Sequence, residues 1–279
     1  MVAGKIPLAA PNLGPLEAEY VQQAVSSGWV GPDGPFVERF EGMVAKAAGR
    51  KWAVATLTGT EALRAAAVVL GFRKDATKFA EVNRNAYPAM ANVLKAFGWE
   101  LRYRDGGFGH DIEPYDCGYF SVVDRAPAIG EQPDKLATLE CYSFAANKTV
   151  TCGQGGAVVG DDAHLQNAVR WEATNAHGMT NARMANLNAA LGCAQMERLD
   201  ELKEPKQRIW NRYKEAGLPM VERGASRWMA TVDMPYRRFD EFDEFKPRME
   251  PWGVMSIPCG TGLTEAEQDT VIRCLTSRT

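Results

Sequence analysis

The sequence predicts an α/β fold: a sheet covered by crossover helices, followed by a small α+β cap. Two observations carry this expectation. From residue 52 to about 160, short β-rich runs alternate with stretches of helical period, the pattern of strands joined by crossover helices. Beyond 161 the pattern is mostly helical to about 216, and from 218 short strands mix with helices. The division implied is a large domain over 1–217, N-terminal helices included, and a small domain over 218–279.

Element by element, helical periodicity spans 15–27, closed by Gly28, and 35–48, closed by Gly49. Trp52-Ala-Val-Ala-Thr reads as a strand that breaks at Thr58-Gly-Thr, and Glu61–Leu70 resumes helix. A strand, a glycine turn and a helix in that order make an anion cradle, because unpaired N–H groups at the helix start point into the turn. An apolar stretch follows near 77–82, then a helix over 88–97 and a strand over 99–104. Residues 105–118 (DGGFGHDIEPYDCG) read as loop. Tyr119–Asp124 is a β-rich run ending in a carboxylate; Leu139–Phe144 and Gly155–Val159 are further short strands. Pro205 either starts a new helix or kinks a long one. Helices are expected near 238–249 and 264–275.

Bulk properties exclude several function classes. With 279 residues, 46% hydrophobic and 24% charged, the protein can bury a substantial core. A formal charge of −3 provides no general attraction to nucleic acid or anionic membrane, and basic clusters at 223–227 and 237–238 read as solvated surface. The six cysteines are scattered without a CxxC pair, and the three histidines are equally dispersed. Reduced thiols in a cytoplasmic setting are expected, with no metal site. The N-terminus lacks the apolar stretch of a signal peptide, and no run approaches a membrane span.

The segment richest in chemistry is Cys141-Tyr-Ser-Phe-Ala-Ala-Asn-Lys-Thr-Val-Thr-Cys-Gly-Gln-Gly-Gly156. A single lysine, Lys148, stands between two short strands among small residues, with the hydroxyl of Ser143 upstream. A lysine makes a Schiff base only when its amine is held near an aldehyde and partly desolvated. Taken alone, a loop lysine is more often a solvated charge.

The segment SFAANKTVTCGQGG resembles the lysine motif of the DegT/DnrJ/EryC1/StrS family, the pyridoxal-phosphate (PLP) dependent sugar aminotransferases, which reads approximately SF-x-x-x-K-x-x-x-x-GEGG. The likeness runs nearly end to end. IPLAAPNLGPLEAEYVQQAVSSGWVGPDGPFVERFE resembles the family's opening, TGTEAL its SGT-x-AL, and SVVDRAPAIG its V-I-E-D-x-A-x-A-x-G. NARMANLNAALGCAQMERLDE and SIPCGTGLTEAEQDTVIRCL resemble its NYRM helix and its closing helix. The resemblance implies the aspartate-aminotransferase-like fold (fold type I), with a mixed central sheet and a small C-terminal α+β domain. It implies that Lys148 carries PLP as a Schiff base and shuttles the substrate proton. Asp124 would pair with the pyridinium nitrogen. Thr58, Gly59, Thr60 and the N–H of Glu61 would cradle the phosphate together with Ser143. Tyr87 would stack on the ring, the alternative being a core tyrosine. Asn181 would reach the phosphate of a neighbouring subunit, making a homodimer with shared active sites. For Arg183 a structural salt bridge and a catalytic duty stay equally open.

The sequence also departs from the family. Pro127 stands where a Gln or His normally touches the cofactor's ring hydroxyl, Val123 replaces the Glu before Asp124, and Gln154 replaces the Glu of GEGG. Losing the polar group at 127 removes one hydrogen bond, worth ~0.5–1.5 kcal/mol. The loop between Asp105 and Tyr119, the stretch from Trp171 to Asn181 and the C-terminal third are all shorter than in the family, and those parts shape its substrate pocket. The leading expectation is an aminotransferase that moves an amino group from an amino acid, glutamate in most of the family, to a keto-sugar nucleotide or similar carbonyl compound. One alternative is a PLP-dependent decarboxylase, or other α-carbon chemistry on an amino acid or aminoacylated nucleotide. Another is a non-catalytic PLP-binding regulator.

Overall fold

The computed structural model describes residues 5–71, 79–83, 87–104, 113–117, 120–134, 136–175, 181–221, 228–234, 244–245, 247–249 and 254–277. Two helices come first, α1 (Pro15–Ser26) and α2 (Pro35–Ala47), each with proline in its first turn, where a missing N–H costs nothing. The alternating section comprises β1 (Trp52–Thr56), α3 (Gly59–Gly71), β2 (Phe79–Asn83), α4 (Ala89–Ala96), β3 (Glu100–Arg104), β4 (Glu113–Cys117), β5 (Phe120–Asp124), β6 (Leu139–Ser143) and β7 (Gly156–Gly160). Helices α5 (Ala163–Asn175), α6 (Asn186–Glu197) and α7 (Leu199–Glu215) follow, with Pro205 inside α7. Short strands β8 (Ala230–Val232), β9 (Arg248–Met249) and β10 (Met255–Ile257) precede α8 (Glu265–Thr276), whose start is fixed by a Thr264–Glu267 capping box. Among the described residues no helix is long and apolar enough to cross a membrane.

The central sheet runs β1-β7-β6-β5-β4, with β5 and β6 parallel and the other neighbours antiparallel. A parallel pair, β2 and β3, forms a separate two-stranded sheet whose β2 packs beside β4. The central sheet is therefore mixed and α/β, as expected. Alternation along its strands feeds two cores. Trp52 and Val54 of β1 and Val158 of β7 join α3, α4 and α5 on one face. Ala53, Ala55, Ala157 and Val159 join α2 and α6 on the other.

Two expectations need correction. Residues 113–117, read as loop, form β4; only Gly118 and Tyr119 separate it from β5, so the two strands can pair only as an antiparallel hairpin. A helix over 238–249 is not found at its C-terminal end, since Phe245 bridges Ile6 and Arg248–Met249 pair with β10; residues 235–243 lie outside the described set. A third core gathers Ile209 and Tyr213 of α7, β8, β10 and α8. Ile6, Leu8 and Ala9 pack against this third core, held by Ile6 N–H to Glu244 C=O at 2.7 Å and Cys259 N–H to Leu8 C=O at 2.8 Å.

Candidate active site

Four segments converge at one end of the central sheet. The first is the turn between β1 and α3. Thr58 C=O accepts the first helical hydrogen bond, from Ala62 N–H at 3.0 Å, and Thr58 Oγ1 accepts Glu61 N–H at 3.1 Å. The N–H groups of Gly59 and Thr60 lie ahead of that ladder, in the helix's first turn, where the dipole favours an anion. A Cβ at Gly59 would lie 2.6 Å from Ser143 Cβ, so the turn rests directly on the end of β6. A Cβ at Gly156 would strike Thr58 C=O in the same way. Gly59 and Gly156 thus have one reason, the close approach of this turn to two strand ends. The Glu61 N–H, expected among the phosphate donors, is engaged by Thr58, and the Glu61 carboxylate pairs with Arg64, which also binds Glu172.

The second segment is the end of β5. Asp124 is 7% exposed and accepts a hydrogen bond from Ala126 N–H at 2.9 Å. It makes no ion pair among the described residues. Burial pushes its carboxyl above the ordinary range, against the opposing effects of the Ala126 hydrogen bond and the positive charge of Lys148. The third segment is the loop after β6. Phe144 closes it at both ends, donating N–H to Gly155 C=O at 2.9 Å and accepting Cys152 N–H at 2.8 Å. Lys148 projects from this loop, near enough for its charge to act on Asp124.

The fourth segment comes from the C-terminal unit and was not anticipated. The Lys148 Nζ lies 3.4 Å from the centroid of the Trp228 ring, and Trp228 Nε1–H donates to Asn147 C=O at 2.8 Å. Trp228 is 81 positions from Asn147 in sequence and sits in no recognisable motif, so no local signal marks it.

The remaining expected residues divide. Tyr87 is 69% exposed at the start of α4, which excludes the core-tyrosine alternative. Asn181 is exposed, and its Oδ1 accepts Arg183 N–H at 3.2 Å and Arg183 Nε–H at 3.0 Å. Arg183 pairs with Asp33, so the salt-bridge reading of this residue is the one observed. Val123 is 1% exposed in β5, where a carboxylate would need a buried partner, and an apolar residue is the easier fit. Pro127 is buried in the turn that carries Ala128 N–H to Arg125 C=O at 2.9 Å. Gln154 is exposed, and nothing in the structure explains its replacement of Glu.

A buried carboxylate without an ion pair is stable only if neutral or met by a cation. A protonated pyridine nitrogen supplies that cation, a helix start with free N–H groups and a serine hydroxyl suits a phosphate, and a nearby amine suits an aldehyde. The donor set therefore fits pyridoxal phosphate.

Known proteins resemble this one in sequence and in fold. A sequence model of the DegT/DnrJ/EryC1/StrS aminotransferase family matches residues 11–101 and 122–225, skipping 102–121, which holds β4 and the first two residues of β5. GDP-perosamine synthase of Vibrio cholerae is 30% identical over 267 residues, covering 77% of the present sequence and 72% of that protein. The GDP-perosamine synthase of Caulobacter vibrioides is 26% identical in an alignment of 363 positions that covers 97% of both proteins. Among solved structures, DesI in the presence of its TDP-sugar product superposes with a TM-score of 0.78 at 21% identity, covering 96% of the present protein and 91% of DesI. Helicobacter pylori PseC gives a TM-score of 0.77 at 15% identity, covering 98% of each protein.

Proposed function

The protein belongs to the DegT/DnrJ/EryC1/StrS family of pyridoxal-phosphate-dependent aminotransferases, and on that premise we propose that it transfers an amino group from glutamate to a keto-sugar nucleotide. When bound, pyridoxal phosphate supplies a carbonyl carbon for the amine and a protonated ring nitrogen that draws electrons from the reacting carbon. The ε-nitrogen of Lys148 would hold the cofactor and would take and return the proton at the substrate carbon. Asp124 keeps the proton on the ring nitrogen. The Gly59 and Thr60 N–H groups, with the Thr58 and Ser143 hydroxyls, bind the phosphate. Tyr87 would cover the ring, and in a homodimer Asn181 would reach the partner's phosphate.

The observation that carries the reading is Asp124, a buried carboxylate without an ion pair, beside Lys148 at the end of neighbouring strands. The acceptor class is supported by the relatives, which include GDP-perosamine synthases and a protein crystallised with a TDP-sugar. The test is borohydride reduction of the yellow protein, with a mass increase expected on the Lys148 peptide. Glutamate should bleach the visible band, and a keto-sugar nucleotide should restore it. No adduct at Lys148 overturns the reading.

The skipped stretch 102–121 favours a second reading, since the hairpin there replaces a part that shapes the family's pocket. In that case the same residues serve decarboxylation of an amino acid. Carbon dioxide release without keto-acid formation would select it.

A further inference from the structure

Trp228 is held over Lys148 from two sides. Its indole N–H donates to Asn147 C=O at 2.8 Å, and its own backbone C=O accepts from Lys206 Nζ at 3.0 Å. The same Lys206 ammonium donates to Cys259 C=O at 2.8 Å. Lys206 is 3% exposed and has no carboxylate partner among the described residues. Burying an ammonium against two carbonyls is a demanding way to secure one loop, and packing alone does not require it. The result is an aromatic face fixed 3.4 Å from the Lys148 nitrogen. Such a face attracts a cation through the ring's negative centre. Charged groups near this nitrogen among the described residues include Asp124, which feels its charge, and Arg248, whose guanidinium carbon lies 5.9 Å from the same ring centroid.

We infer that Trp228 is the seat of the released amine, a positioning residue that holds the Lys148 ε-ammonium whenever that nitrogen is not bonded to a carbonyl carbon. The inference rests on Lys148 being the reactive lysine proposed above. When an incoming amine displaces the lysine, a C=N bond to the incoming nitrogen replaces the C=N bond to Lys148. Two hydrogens pass from the incoming nitrogen to the ε-nitrogen, and a further proton from water makes it ammonium. The indole receives that ammonium and keeps it within reach of the reacting carbon. Lys206 and Asn147 keep the indole in place.

The test is trace acetylation of the cofactor-free protein with acetic anhydride at mildly alkaline pH, read by peptide mass spectrometry. Acetylation consumes the neutral amine, forming an amide as acetate and a proton leave, so a seat that holds the ammonium slows it. Trp228→Leu should acetylate about fivefold faster at Lys148, the change that ~1 kcal/mol of lost ring–cation attraction gives. Trp228→Phe, which keeps a ring face, should rescue most of this, while exposed Lys46 stays constant in both. Lys206→Met should act in the same direction as Trp228→Leu with a smaller effect. If the leucine variant does not fold, Trp228→Met replaces it, filling the volume without a ring. Equal Lys148 rates in wild type, Leu and Phe variants overturn the inference, as does an equal increase in both variants. Borohydride trapping separates the two claims: a Lys148 adduct with no Trp228 effect rejects the seat alone, whereas no adduct rejects the function.

Discussion

Glu17 on α1 is 2% exposed and Asp124 at the end of β5 is 7% exposed, yet their carboxyl pKa values move in opposite directions. For Glu17, burial pushes the carboxyl up, but hydrogen bonds from Gln195 and Arg198, each at 2.6 Å, and from Gly14 N–H at 2.7 Å bring it below the ordinary value. For Asp124, burial pushes the same way, and Ala126 N–H with the charge of Lys148 does not overcome it. The α1–α6 region contains its own counter-charge, so its acid is part of the fold. At the strand end, Asp124 has one backbone N–H and the charge of Lys148 but no ion pair among the described residues. A buried charge with every partner built in is architecture; one without is a binding site.

The contrast can be broken most forcefully at Asp124. Asp124→Asn should lower turnover roughly 10²–10³-fold through lost electrostatic stabilisation, with the fold intact by circular dichroism. A variant retaining wild-type turnover would remove Asp124 from the site. Glu17→Ala should do the reverse, leaving turnover per folded molecule unchanged while destabilising the protein by about 3 kcal/mol in urea unfolding, because Gln195 and Arg198 lose a buried partner. Gly59→Ala should weaken cofactor affinity about tenfold by equilibrium dialysis, since the added Cβ must push Ser143 aside, a strain of ~1–3 kcal/mol.

The smallest expected effect is on stability against pH in the cofactor-free protein. The folded-state value of Asp124 lies above its unfolded one, so its contribution is complete below the unfolded carboxylate range and is lost as pH rises through the folded value. Glu17 has the opposite sign: its contribution is present above the unfolded value and is lost as pH falls through the lowered folded one. Asp124→Asn should therefore flatten the decline in melting temperature toward neutral pH, and Glu17→Gln should flatten the decline toward acid. Identical profiles for wild type and both variants would dissolve the distinction.

Much of the site could be read locally. Lys148 stands in a glycine-rich segment, Asp124 ends a β-rich run, and Thr58-Gly-Thr sits between a strand and a helix, all spacings set by the sequence itself. The strands were legible wherever both faces are buried, as in Trp52–Thr56, because apolar runs of that length have few other uses. β4 was not legible: glycines and a histidine precede it, proline and aspartate lie within it, and its strand character comes from pairing with β5. The same holds for β9, a two-residue strand defined by its neighbour β10.

Local order alone thus marked the candidate lysine, acid and anion turn, since each motif depends on residues within a few positions of one another, and the order of those motifs along the chain identified the family. Tertiary structure decided which buried acid is satisfied, which N–H of the turn Thr58 already holds, and which aromatic faces the lysine. Those outcomes depend on distances between residues up to 181 positions apart, as for Glu17 and Arg198, and no periodicity of the sequence encodes such a distance.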